Sequence, residues 1–112
     1  MPAYADLAYP SAPIQILLST FNGERYLDDL LQSLFAQTYQ NIFIWVRDDG
    51  STDQTLRLLR QYAQHYSNFT LIEGENIGVI RSFYSLLKNC PASNNQFYAF
   101  CDQDDIWQPS KL

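Results

Sequence analysis

Phe97-Tyr98-Ala99-Phe100-Cys101-Asp102-Gln103-Asp104-Asp105 runs an apolar stretch straight into three carboxylates. The apolar part reads as a buried strand. Burying a carboxylate costs heavily unless it is paired or coordinates a metal, so the acids belong where the strand ends. Ile42-Phe43-Ile44-Trp45-Val46-Arg47-Asp48-Asp49-Gly50 repeats the plan earlier in the chain. Two buried strands that each deliver acids at their C-terminal ends point to a site for a hard cation and its anionic ligand.

Working outward from these two segments, strands and helices alternate. Ile14 to Ser19 is nearly continuous in apolar character, as a strand covered on both faces is. Asn22-Gly23 breaks it, and Glu24 to Gln37 carries Tyr26, Leu27, Leu30, Leu31, Leu34 and Phe35 at helical spacing. Ile42 to Val46 forms the second strand, and Gly50 turns the chain. Ser51 with Gln54 has capping-box spacing, and Asp53 suits a first helical turn. That helix runs to about His65 with Leu56, Leu59, Tyr62 and Ala63 inward. Phe69 to Ile72 is a third strand, and Gly78 to Lys88 a third helix with Phe83, Leu86 and Leu87 inward. Gln96 to Cys101 is the fourth strand. This β-α-β-α-β-α-β order predicts an α/β fold, a parallel sheet with helices on both faces. Ligands of such folds bind outside the carboxyl ends of the strands, at a topological switch point. Thr20-Phe21-Asn22, Asp48-Asp49, Glu75-Asn76 and Asp102 to Asp105 all fall there.

Composition bounds the rest. The 112 residues fit one domain, and 46% hydrophobic content argues against disorder. A net charge of -5 argues against non-specific nucleic-acid binding. The two cysteines, Cys90 and Cys101, have neither zinc-type nor disulfide-framework spacing. They read as buried free thiols in a reducing compartment. No apolar run approaches the roughly 20 residues that span a bilayer. Residues 1–13, with Pro2, Pro10 and Pro13, read as a leader or linker, and 14–112 as the folded unit. The terminal Ser110-Lys111-Leu112 and the Asn68-Phe69-Thr70 sequon read as chance matches to a peroxisomal address and a glycosylation site.

The acids set the expected chemistry. Residues i and i+2 of an extended segment point the same way, so Asp102 and Asp104 face one ligand. Magnesium and manganese take one or two carboxylates together with phosphate oxygens and waters. Such an ion lets an acidic site accept a diphosphate, and neutralises charge on it as it leaves. The competing reading is a surface turn, with Asp105 capping a short helix. Asp48 and Asp49 can accept from a base N–H or a ribose hydroxyl, or balance Arg47 and serve the next helix. Phe21 can pack on a nucleobase or in the core. Arg81 can reach a diphosphate or lie solvated on the surface. Trp107, Trp45 and His65 read as packing residues and a helix-end charge.

Leu18-Ser19-Thr20-Phe21-Asn22-Gly23, Arg47-Asp48-Asp49-Gly50-Ser51-Thr52-Asp53, Asn76-Ile77-Gly78 and Cys101 to Leu112 resemble family-2 glycosyltransferases of the GT-A fold, a Rossmann-like nucleotide-binding sheet. The Asp-Gln-Asp-Asp-Ile-Trp string is most similar to bacterial rhamnosyltransferase-type members. The resemblance implies an inverting transfer from a UDP- or dTDP-sugar, dTDP-rhamnose among them, to a polysaccharide or glycan acceptor, with Mn2+ or Mg2+. It implies nucleotide contacts from Thr20, Phe21, Asn22, Asp48, Asp49, Arg81 and Asp102. Asp49 would take the uracil or thymine N–H, and Asp104 with Asp102 the metal. Asp105 would support its loop. It also implies a cytoplasmic enzyme of cell-wall or surface polysaccharide synthesis, at the inner face of the membrane where the acceptor is lipid-linked.

The chain departs from that pattern in length. Family domains run roughly twice as long, against about 100–200 residues for an ordinary domain. The catalytic base is expected beyond Leu112, in a later acidic motif. The expectation is a truncated GT-A domain, its N-terminal donor-binding part, which holds nucleotide and metal without turnover and self-associates through an uncovered sheet edge. A signalling-type phosphoacceptor domain needs an acidic pair after the first strand, where Thr20-Phe21-Asn22 stands. Dinucleotide and P-loop enzymes need glycine-rich motifs that are absent.

Overall fold

The computed structural model describes residues 12–90, 97–103 and 106–112. Four strands, β1 (Ile14–Thr20), β2 (Ile42–Asp49), β3 (Phe69–Gly74) and β4 (Phe97–Cys101), alternate with three helices, α1 (Leu27–Phe35), α2 (Thr55–His65) and α3 (Val79–Asn89). All pairings are parallel, in the order β3-β2-β1-β4. The chain lays down β2 and β3 on one side of β1 and then crosses to place β4 on the other. The switch point is the gap between β1 and β4, where the carboxyl ends diverge.

Alternation within the strands divides the core. Ile16, Leu18, Ile44 and Val46 face α1 and α2, where they meet Leu27, Leu30, Leu31, Leu34 and Leu59. Leu17 faces α3, with Trp45 and Ile72, and meets Leu86 and Cys90. Helices therefore cover both faces, as expected. Both cysteines are buried thiols, and burial pushes the Cys90 thiol up.

Several local expectations are corrected. β2 continues three residues past Val46, so Arg47, Asp48 and Asp49 lie inside the strand and are buried. The Ser51–Gln54 capping box does not form. The Ser51 hydroxyl donates to Asp48, and α2 starts at Thr55, whose N–H donates to Asp53. Tyr26 precedes α1 and is exposed, and so is Leu87. β4 is not a buried strand: Phe97, Tyr98 and Phe100 are 50%, 39% and 56% exposed. It is the sheet's edge, and α3 packs over β1 and β2, reaching β4 through the Phe83–Phe100 ring contact. The sequon residue Asn68 spends its amide on the Ile42 carbonyl. The leader assignment falls almost wholly on residues outside those described.

The core makes a plain stability prediction. Leu31, fully buried under the sheet, should cost about 2–5 kcal/mol when cut to alanine. Leu87→Ala should cost under about 1 kcal/mol. Urea titrations of the two variants check the ranking.

Candidate functional site at the switch point

A cleft of about 350 Å3 opens at the carboxyl ends of the strands, lined by Ser19, Thr20, Phe21, Asp49, Asn76, Gly78, Val79, Phe83, Asp102 and Gln103. Every strand contributes to it, directly or through the loop that follows.

Asp49, the buried acid that lines the cleft, belongs to an ion pair. Arg47 and Asp49, two apart on β2, point to the α3 face, and Arg47 Nη1 lies 2.7 Å from Asp49 Oδ1. Arg47 also donates to the Ser82 hydroxyl and the Glu75 carbonyl. The Ser19 hydroxyl donates to that of Ser82. Asp49 accepts the backbone N–H groups of Ile77 and Gly78 at 2.8 and 3.0 Å, so one carboxylate holds the entry to α3. Burial works against its ionisation, but the Ile77 N–H, the Arg47 guanidinium and the Gly78 N–H outweigh it and hold the carboxyl below the usual range. Gly74 is required beside this pair, since a Cβ there would lie 2.2 Å from Arg47 Nη2.

Asp48 points to the opposite face. Its carboxylate, 1% exposed, accepts from the Thr20 hydroxyl and from the Ser51 N–H and hydroxyl. The loops after β1 and β2 are then laced together. Asn22, at φ +47°, accepts the Thr52 N–H and donates its own N–H to Ser51. The Gly23 N–H reaches Thr55 and the Glu24 N–H reaches Asp53. Gly50, at φ +79°, lets Asn76 approach where a Cβ would lie 2.9 Å from its N.

The residues expected from sequence thus separate. Thr20, Phe21, Asp49 and Asp102 line the cleft. Phe21 and Asp102 are exposed, Thr20 and Asp49 buried. Asp48 and Asn22 lie behind it, as fasteners of the two loops. Arg81 is exposed on the first turn of α3 and is not among the lining residues. Asp104 and Asp105 lie outside the described residues. Among the described residues no cluster of three or more metal-ligating side chains occurs. Asp102 is the cleft carboxylate left free for a cation, which fits an ion held by one or two carboxylates and phosphate oxygens.

Two contributors escaped the sequence reading. From sequence Arg47 reads only as a charge balance, although its spacing from Asp49 within a strand carries the signal. Gln103 is assigned no role by the sequence. Its side-chain amide accepts the Phe21 N–H at 2.9 Å and donates to the Phe21 carbonyl at 3.0 Å. No local pattern announces a contact 82 positions away.

Compared with known proteins, residues 15–112 match the family model for glycosyl transferase family 2. The chain is 34% identical over 98 residues to the dTDP-rhamnosyl transferase RfbG of Shigella flexneri, across 85% of this chain and 34% of that protein. Among solved structures it resembles S. aureus TarS in complex with UDP, at 28% identity and TM-score 0.75, covering 88% of this chain and 29% of that one. It shares the fold of a mannosyltransferase from Pyrobaculum calidifontis in complex with GDP-Man and Mn2+, at 22% identity and TM-score 0.73, covering 84% and 28%. The chain spans about a third of the length of these relatives.

The ion pair gives two predictions. Arg47→Met strands a buried carboxylate and should cost about 3–5 kcal/mol in urea unfolding. A carboxyl held low adds stability above its unfolded pKa and loses it as pH falls through the folded one. The stability gap between the parent and Asp49→Asn should therefore start to close below about pH 4. A gap constant from pH 6 to pH 2 would show that Asp49 carries no such linkage.

Proposed function

This chain belongs to glycosyl transferase family 2, and we propose that it is the part of such an enzyme that binds a nucleoside-diphosphate sugar. One observation carries this reading: a buried, partly satisfied carboxylate and an exposed one, Asp49 and Asp102, line a single cleft at the switch point. Asp49 has three of its roughly four acceptor positions filled. The position left, on Oδ2, suits the ring N–H of uracil or thymine. The exposed ring of Phe21 offers a face to the base beside it. Thr20, beneath Phe21, and Asn22, behind it, hold this wall, and Asp48 fastens both through its contacts with Thr20 and Ser51. Arg81, exposed on the first turn of α3, would reach the diphosphate.

The donor is a UDP- or dTDP-sugar. The likeness to RfbG favours dTDP-rhamnose, and TarS, crystallised with UDP and UDP-GlcNAc, favours a uridine nucleotide. The acceptor is a polysaccharide or glycan hydroxyl, met at the inner face of the cytoplasmic membrane. Asp102 and Asp104 would hold Mn2+ or Mg2+, which when bound offsets the charge of the diphosphate as it leaves. Transfer inverts: the acceptor oxygen bonds to the anomeric carbon, the bond to the diphosphate breaks, and a carboxylate takes the hydroxyl proton. That base is not assigned to Asp49, whose oxygens are engaged, nor to Asp102, placed with the metal. With neither cleft carboxylate assigned as the base, the chain by itself is a nucleotide and metal module without turnover. Its exposed Phe97, Phe100, Ile80 and Tyr84 support self-association; a sharp monomer boundary in sedimentation at high concentration would refute that.

Calorimetry with UDP and dTDP, with and without Mn2+, tests the reading. The nucleotides should bind more tightly with the ion, and a UDP-sugar or dTDP-sugar incubated with the protein and Mn2+ should release no free sugar. Asp104→Ala and Asp102→Asn should each weaken the ion-dependent binding about tenfold or more. Failure of both nucleotides to bind would overturn the donor site. Unchanged binding by Asp104→Ala would overturn its place at the metal.

A further inference from the structure

We propose that Gln103 is a positioning residue that latches the Phe21 loop to the Asp102 segment, so that the aromatic and acidic walls of the cleft respond to a nucleoside as one body. The inference rests on the donor-binding reading above. β1 and β4 pair from Ile14 with Phe97 to Leu18 with Cys101, and there their ladder ends. Past that point the Gln103 amide takes over, closing two hydrogen bonds on the backbone of Phe21. Both of its atoms are committed: Oε1 accepts and Nε2 donates, so one orientation of the amide satisfies the pair. Asp102 and Gln103 are adjacent, and Phe21, Asp102 and Gln103 all line the cleft.

Gly23 is shaped around the same amide. A Cβ at this position would lie 2.5 Å from Gln103 Oε1, 3.1 Å from its Cδ and 3.8 Å from its Cγ, the three atoms nearest to it. The backbone there is not in the left-handed region. Alanine here therefore requires the Gln103 amide to shift, since the three nearest atoms it would meet all belong to that side chain. The outer side of the loop is tied separately, through Asn22, Gly23 and Glu24, to the segment from Ser51 to Thr55. Opening the latch should free the cleft-facing side of the loop and leave the fold in place.

Nuclear magnetic resonance titration of the full chain with uridine and with thymidine tests this without metal, phosphate or turnover. In the parent, the Phe21 and Asp102 amides should shift together with one dissociation constant. Gln103→Met, which keeps the length and loses both bonds, should weaken nucleoside binding about fivefold to tenfold and silence the response at Asp102. Gln103→Glu keeps the acceptor and should fall between. Gly23→Ala, which displaces the amide without altering it, should reproduce Gln103→Met, and the double variant should be no worse than either alone. Parent-like affinity with both amides still responding in Gln103→Met would overturn the latch, as would fully additive losses in the double variant. Absence of any response to either nucleoside in the parent would overturn the donor-binding reading, and the latch with it.

Discussion

The Arg47–Asp49 pair is the constraint around which the rest of the site is arranged. Two opposite charges within one buried strand are tolerable only when their remaining hydrogen-bonding positions are filled. Here Ser82, the Glu75 carbonyl and the N–H groups of Ile77 and Gly78 fill most of them. Satisfying the pair therefore requires α3 to begin where it does and to lie against β1 and β2. It also fixes Gly74, where any side chain would collide with the guanidinium. A partly filled carboxylate is left lining an open cleft, held ionised by its neighbours.

The walls of that cleft are secured by a second set of contacts, on the other face of β2. Asp48 gathers Thr20 and Ser51, and Asn22 gathers Thr52, so the turns after β1 and β2 behave as one double loop. β4 stands apart across the switch point, its ladder to β1 ending at Cys101. Parallel strands diverge beyond their last paired residues, which creates a crevice and leaves its two sides unconnected. The Gln103 amide spans that break with side-chain hydrogen bonds where backbone pairing has stopped.

Much of this was legible beforehand. The alternation of apolar strands with amphipathic helices gave the element order, and the positions of Thr20, Phe21, Asp49 and Asp102 at strand ends put them on one rim. What failed did so for identifiable reasons. Arg47, Asp48 and Asp49 looked like a loop because charged residues in a strand are expensive; they are affordable here because long-range partners satisfy them. The Ser51–Gln54 spacing mimicked a cap, but Asp48 and Asn22 claimed Ser51 first. β4 looked buried because its composition is that of a covered strand, whereas its exposure depends on what packs beside it.

Sequence by itself determined the periodicities, and so the strands, the helices and the parallel α/β class, because local apolar spacing decides which face of each element can be buried. It also determined that acids would gather where strands end. Only the tertiary structure decided which acid faces the cleft and which fastens loops. Neighbouring residues in a strand point to opposite faces, and the register between β1 and β2 sets which face is which. The pairing of Gln103 with Phe21 belongs to the same class of facts. Two segments far apart in the chain meet because β4 crosses to the far side of β1, and no local property of either segment encodes that encounter.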